Sequence, residues 1–270
     1  MRSLGKRVRG KLLQGFESLI LRIDKIMKSY MDFGKLGEIY DSGRYEYPEG
    51  VMNYIFSLIR PSTKLLDIGC GTGVATRQFL SKVKDLSGCD IDKNMIKIAE
   101  DYKDKINYYI APTNRMSFDN QSFDLVTAFG AFHWFCDSKS VVEIKRILKR
   151  KGLFVVVNKN EVGNFKRDYK KMVEQIIETK SPKSIKKNYD PVSILSENGF
   201  SNILKKKFLH TEEFVVSRAI EQMQSMSLWN LIPKNKKQEA LRIFKNHLKK
   251  TTINGRIYRQ LEIVVVSGNK

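Results

Sequence analysis

Asp67-Ile68-Gly69-Cys70-Gly71-Thr72-Gly73, directly after the apolar pair Leu65-Leu66, constrains this chain more than any other stretch. An apolar run followed by alternating glycines predicts a buried strand that ends in a tight loop and opens a helix, expected from Val74 to about Lys82. Glycine at such positions admits positive φ and lets a ligand come close to the backbone. A second signal follows. Leu86-Ser87-Gly88-Cys89-Asp90 reads as another strand, and its terminal carboxylate can hold both hydroxyls of a ribose. Strand, glycine loop, helix, strand and acid together call for a nucleoside cofactor.

Charge selects which nucleoside. A dinucleotide loop seats a pyrophosphate on the helix N-terminus, and a triphosphate loop needs Gly-Lys-Ser/Thr. This loop has neither that lysine nor the G-x-G-x-x-G spacing, and it begins with Asp67. A carboxylate there repels a phosphate but suits a ligand carrying an ammonium and a sulfonium, which favours S-adenosylmethionine over NAD.

D-x-G-x-G-x-G followed by the acid resembles the class I S-adenosylmethionine-dependent methyltransferases. Three further stretches resemble one subgroup, which includes the trans-aconitate-type carboxyl methyltransferases. Tyr40-Asp41-Ser42-Gly43-Arg44-Tyr45-Glu46-Tyr47-Pro48 is similar to its Y-x-x-x-R-P-x-Y-P element, with Tyr45 in place of the usual proline. Phe118-Asp119-Asn120-Gln121-Ser122-Phe123-Asp124-Leu125-Val126 is similar to its P-F-x-D-x-S-F-D-L-V segment. Ala131-Phe132-His133-Trp134-Phe135 matches its A-F-H-W-F, and Ser225 to Trp229 its late S-x-S-x-aromatic element. The resemblance implies an α/β fold, a Rossmann-like seven-stranded, mostly parallel sheet with helices on both faces and an antiparallel last strand. It runs from about Phe33 to the end and says little about the acceptor.

The expected organisation is a basic amphipathic extension over residues 1–35 and a methyltransferase domain over 36–270. Its cofactor half spans about 60–160 and its substrate-side half about 161–270. At 270 residues the chain can bury a sizeable core. Cys70, Cys89 and Cys136 form no metal-ligand spacing and no even disulfide set, which favours a reducing cytoplasm. The net charge of +20 is spread along many lysines and reads as solvated faces or as a basic surface for nucleic acid. In the first thirty residues Leu4, Val8, Leu12, Phe16, Leu19, Ile20, Ile23 and Met27 recur at helical spacing among early basic residues. A helix covering the domain, a membrane-surface helix and an organellar targeting segment all fit.

Alternating patterns predict helices over 48–59, 94–101, 140–149, 160–188, 190–198, 211–223 and 234–250. They predict strands over 64–68, 86–90, 106–110, 123–128, 153–157, 203–209 and 261–266. In the cofactor site, Gly69, Cys70, Gly71 and Gly73 cover the methionine and ribose portion, Asp67 supports the loop and the amino group, and Asp90 takes the ribose hydroxyls. Asp92 suits a helix cap better than Asp90 does. Ile91, Thr113, Asn114 and Phe129 border the adenine and methionine ends. Pro112 and Asn114 stand where the family usually has acids, and Gly130 where it often has Gln. His133 is a candidate catalytic residue, either a base for a hydroxyl acceptor or a packed wall. Tyr40, Arg44, Tyr47, Trp134 and Trp229 are candidate substrate contacts, with Arg44 suited to a carboxylate.

The leading expectation is methyl transfer to a small, anionic acceptor. An RNA-modifying enzyme is the alternative, although Thr127-Ala128-Phe129-Gly130-Ala131 is not the Asn/Asp-Pro-Pro-Tyr loop that gathers an exocyclic base nitrogen. A non-catalytic, cofactor-binding or membrane-recruited regulator is the third reading. Oligomeric state stays open.

Overall fold

A computed structural model describes residues 41, 43–60, 63–182 and 189–270. The proposed extension over 1–35, and Tyr40, lie outside them. The described chain builds a sheet of seven strands: β1 (Lys64–Ile68), β2 (Asp85–Asp90), β3 (Asn107–Ile110), β4 (Phe123–Phe129), β5 (Leu148–Glu161), β6 (Ser201–Phe214) and β7 (Ile257–Asn269). Their order is β3-β2-β1-β4-β5-β7-β6. Neighbours from β3 to β5 are parallel, while β7 runs antiparallel between β5 and β6. The expected fold class, including the antiparallel last strand, is the observed one.

Helices pack on both faces: α1 (Glu49–Phe56), α2 (Val74–Arg77), α3 (Lys93–Asp101), α4 (Ser138–Ile147), α5 (Phe165–Ile177), α6 (Pro191–Glu197), α7 (Val216–Gln224) and α8 (Lys237–Thr251). Period-two alternation sends successive strand residues to opposite faces. Leu66, Ile68, Val126, Ala128, Phe154 and Val156 meet Val141, Ile144 and Leu195 from α4 and α6. Leu65, Leu125, Val155, Val157 and Val265 meet Val51, Met52 and Ile55 of α1, with Phe79 just after α2. A third core, led by Tyr169, Met223, Trp229 and Phe244, joins α5, α7 and α8 at the end of β6 and β7.

Several bounds differ from expectation, each for a local reason. The helix expected to reach Lys82 stops at Arg77 and continues as turns, because Phe79, Leu80 and Lys82 N–H groups bond to carbonyls three residues back. The helix expected over 160–188 is confined to α5, since β5 runs on to Glu161 and Glu178 closes the helix with φ 56°. Residues 183–188 lie outside the described chain. Residues 211–214, expected as helix, extend β6, with Thr211 opposite Gln260 and Phe214 opposite Ile257. The lysines Lys205, Lys206 and Lys207 lie on β6, the outermost strand, where exposed charge discourages pairing between chains.

Phe154 is fully buried, with ring centroids 5.2 Å from Phe132 and 5.9 Å from Phe200. Phe154→Ala should cost about 3–5 kcal/mol in urea unfolding, from lost transfer energy and a residual cavity. Lys206→Ala on the edge strand should stay within about 0.5 kcal/mol of wild type.

Candidate functional site

The strand order reverses between β1 and β4, because the chain steps outward to β2 and β3 and then returns to the other side of β1. In open α/β sheets ligands bind at such a reversal, beyond the carboxyl ends of the strands. Two loops meet there. Gly69, Gly71 and Gly73 after β1 have φ of 67°, 56° and 80°. A Cβ on Gly69 would lie 2.6 Å from the Ala131 Cβ, so the absent side chain lets the loop after β1 pack on the loop after β4.

Asp67 at the end of β1 is fully buried. Thr76 Oγ1 donates to its Oδ2 at 2.6 Å and Thr127 Oγ1 to its Oδ1 at 2.8 Å. One carboxylate thereby ties β1 to α2 across the glycine loop and to β4 beside it. Burial pushes its carboxyl up to about 7, against the two threonine hydrogen bonds and with a small addition from Asp90.

Asp90 ends β2 and is partly exposed. Its Oδ2 accepts the Gly71 N–H at 2.9 Å and its Oδ1 the Asp92 N–H at 2.9 Å. A carboxylate offers about four acceptor sites, so capacity remains for a diol. Burial raises this carboxyl also. Asp92, not Asp90, caps α3, accepting the Asn94 N–H at 2.9 Å. Ile91 is 72 % exposed beside the acid. The Ala111 N–H donates to the Asp90 carbonyl at 3.0 Å, which brings the loop after β3 next to β2. In that loop Asn114 is exposed, whereas Thr113 Oγ1 lies 3.3 Å from Ser140 Oγ, toward α4.

Cys70 is partly exposed, and a Cβ at Gly88 would sit 3.0 Å from its sulfur, so that strand glycine makes room for the loop. Phe129 is packed, with centroids 4.7 Å from Tyr47 and 5.9 Å from Phe79. Gly130 has φ 63°, and a Cβ there would meet only the Tyr47 hydroxyl, at 3.5 Å. Backbone conformation thus favours glycine at this position.

His133 sits in a 3-10 turn (Phe132–Trp134), with its ring 5.0 Å from Trp134 and 5.9 Å from Tyr189. Trp134 is 37 % exposed. Trp229 corrects the expectation of a pocket wall. It is 3 % exposed in the helical core, 6.3 Å from Phe244, with the Lys237 ammonium over its ring. Arg44 is not a surface arginine: its Nη2 donates to the Ser225 carbonyl at 3.2 Å.

Sequence reasoning singled out the strap that carries Arg44 and Tyr47 but missed how it is anchored. Arg77 Nη1 donates to the Thr72 carbonyl at 2.6 Å, Nη2 pairs with Asp41 at 3.3 Å, and the guanidinium stacks 3.6 Å from the Tyr102 ring centroid. Tyr102 also donates to Asp41. Farther along, Tyr47 and Gln78 exchange two hydrogen bonds, at 2.8 and 2.9 Å. A basic residue in the helix after the glycine loop was the available signal; its partner Asp41 lies 36 residues away. Lys159 was also missed. Its Nζ lies 4.4 Å from the Tyr47 ring centroid.

One buried polar atom in the glycine loop bears on what the loop holds. Thr72 Oγ1 is buried with no hydrogen-bond partner among the described residues. With the left-handed glycines and the spare acceptor capacity of Asp90, it fits a ligand rich in hydroxyl, ammonium and carboxylate groups. Asp67 offers a pH test of the site. Its folded carboxyl is raised, so the folded chain keeps a proton that the unfolded chain has lost. That stability is fully present below the unfolded value near 3.8 and is lost as pH rises through about 7. The raised Asp90 acts in the same direction. The melting temperature of Asp67→Asn relative to wild type should therefore move in the variant's favour from pH 5 to pH 8; a constant difference would contradict the assignment.

Residues 66–156 match the family model of a methyltransferase domain. Over 116 residues the chain is 28% identical to an uncharacterized methyltransferase-like protein of Schizosaccharomyces pombe, covering 42% of this chain and 45% of that protein. Over 105 residues it is 30% identical to the uncharacterized methyltransferase YcgJ of Bacillus subtilis, covering 37% of this chain and 42% of YcgJ. These sequence matches thus span less than half the length of the two relatives. The crystal structure of YcgJ superposes with a TM-score of 0.53 at 19% identity, covering 83% of this chain and 99% of YcgJ, which concerns the fold alone. Family match, strand order and glycine loop together mark residues 66–156 as a methyltransferase domain, with the glycine loop at the reversal of strand order as its candidate cofactor site.

Proposed function

We propose that this chain transfers a methyl group from S-adenosylmethionine to an oxygen of a small-molecule acceptor, a carboxylate or a hydroxyl. The observation that carries the cofactor half of this reading is Asp90. It fixes the glycine loop through the Gly71 N–H and keeps acceptor capacity beyond the end of β2. Asp90 would hold the ribose diol and Ile91 would cover the adenine, beside the loop of Thr113 and Asn114. The Gly69–Gly73 backbone and the Thr72 hydroxyl would face the methionine portion, and the Asp67 carboxylate supplies negative charge behind it.

The cofactor brings an already activated methyl on a sulfonium, and transfer leaves the neutral thioether. The protein's task is then to align the acceptor oxygen in line with that methyl and to exclude water. Tyr47, Phe129 and Trp134 border the space beyond β4 and suit that role. An ionised carboxylate acceptor needs no base. A hydroxyl must lose a proton, and His133 beside Trp134 is the candidate to take it.

Purified protein would be incubated with methyl-labelled S-adenosylmethionine and a deproteinised cell extract, and the products split into small-molecule and RNA fractions. Label should enter the small-molecule fraction, and release as methanol by mild alkali would identify a carboxylate acceptor. Label in RNA, or in neither fraction, would overturn the proposal. Asp90→Ala should bind the cofactor about 10–100-fold more weakly, as expected for loss of charge-assisted hydrogen bonds worth roughly 1.5–3 kcal/mol. Because the ligand is cationic and Asp67 titrates near 7, affinity should rise about tenfold from pH 6 to pH 8. In calorimetry, Asp67→Asn should flatten that dependence.

A further inference from the structure

One side chain ties the glycine loop to the strap. The guanidinium of Arg77, at the end of α2, folds back over the loop: Nη1 donates to the Thr72 carbonyl at 2.6 Å and Nη2 pairs with Asp41 at 3.3 Å. The Tyr102 ring, just after α3, stacks against the guanidinium at 3.6 Å, and the Tyr102 hydroxyl donates to Asp41. Both charges of the pair are largely withdrawn from water, with the Arg77 and Asp41 side chains 18% and 15% exposed. A glycine permits this return of the arginine. A Cβ on Gly73, where φ is 80°, would lie 3.0 Å from Arg77 Nη1 and run into the Tyr108 hydroxyl.

The rest of the strap touches elements far from that loop in sequence. Gly43 packs closely behind α7, where a Cβ on it would lie 2.7 Å from the Ser225 Cβ. Arg44 donates to the Ser225 carbonyl at 3.2 Å, and the Tyr45 hydroxyl to the Glu213 carbonyl of β6 at 3.4 Å. Tyr47 packs on Phe129 at the end of β4 and exchanges two hydrogen bonds with Gln78, the residue after Arg77. The strap therefore reaches from the glycine loop to the side of the site that the proposed acceptor would meet. Both of its ties to the glycine-loop helix come from consecutive residues, and Arg77 alone of the two also holds the loop itself.

We propose that Arg77 is a positioning residue through which a filled glycine loop and a seated strap stabilise each other, so that cofactor binding prepares the strap for the acceptor. The coupling rests on the methyl-transfer reading for the identity of the two ligands. Thr72 Oγ1 is buried with no hydrogen-bond partner among the described residues, and Arg77 holds the carbonyl of that same residue. The guanidinium thus steadies the residue whose hydroxyl is left for a ligand. Its forked donors let it serve a carbonyl and a carboxylate at once. Without Asp41 the fork loses one anchor, and the ligand must bear more of the cost of ordering the loop, which lowers its affinity. The effect is reciprocal: whatever the strap adds to ligand binding, the ligand adds to the seating of the strap.

The test is calorimetric titration of the full chain with S-adenosylhomocysteine, in wild type, Arg77→Gln, Asp41→Asn and the double variant. Each single change should weaken binding about tenfold, and the double change at most about twofold further, because the pair acts as a unit. Arg77→Lys should lose about fivefold, since a single ammonium does not reproduce the fork. Tyr102→Phe keeps the ring and removes only the hydroxyl on Asp41; at a half-exposed position it should fold even where Arg77→Gln does not, and weaken binding about threefold. Hydrogen exchange gives the reciprocal result: the ligand should slow exchange over residues 43–47 in wild type and leave it unchanged in Arg77→Gln. Wild-type affinity in both Asp41→Asn and Tyr102→Phe would reduce Arg77 to a brace of the loop and overturn the coupling. Fully additive losses in the double variant, or ligand-independent exchange over 43–47 in wild type, would overturn it too. Failure of S-adenosylhomocysteine to bind wild type would remove the cofactor reading and the coupling together, whereas wild-type binding with silent variants removes the coupling alone.

Discussion

Asp67, buried between two threonine hydroxyls, is the interaction on which the cofactor side of this molecule depends. A glycine loop is permissive by nature and needs something to hold it in one shape. Asp67 anchors the strand before the loop to Thr76 in the helix after it, and Asp90 fastens the middle of the loop through Gly71. The same Asp67 reaches Thr127 on β4, so the two strands that flank the reversal of strand order are joined where the site opens. A carboxylate raised toward neutrality by burial is costly to ionise. A cationic ligand nearby would offset that cost, so in the proposed reading one residue serves both the fold and the choice of ligand.

The two sides of the site are built differently. The cofactor side comes from residues close in sequence, within one strand–loop–helix–strand unit. The proposed acceptor side draws on distant parts of the chain. The strap at residues 41 and 43–47, the end of β5, and residues of β6, β7 and α7 meet around Tyr45, Tyr47 and Lys159. Segments so separate from the glycine loop can be altered without disturbing it.

That contrast also explains what could be read from the sequence. β1 was expected over 64–68 and occupies Lys64–Ile68, because an apolar run ending at glycine is a local signal with a local cause. The separation of Asp90 from the helix cap at Asp92 was legible for the same reason, since a cap is set by residues two or three positions away. β5, β6 and β7 run several residues past their apolar centres, because cross-strand pairing carries polar residues such as Thr211 and Glu212 along with it. Trp229 was a candidate substrate contact by its sequence neighbourhood, and only its tertiary packing with Tyr169 of α5 and Phe244 of α8 puts it in the core. The Arg77–Asp41 pair and the contact of Lys159 with Tyr47 carry no local pattern. Each is made by tertiary contact between segments far apart in the chain.

The most direct test of this account is a crystal structure of the protein with S-adenosylhomocysteine. The account predicts the ribose hydroxyls on the Asp90 carboxylate, with the homocysteine portion along Gly69–Gly73 and the ring against Ile91. Ligand density elsewhere, or an Asp90 carboxylate that contacts only Gly71 and Asp92 while ligand fills the site, would contradict it.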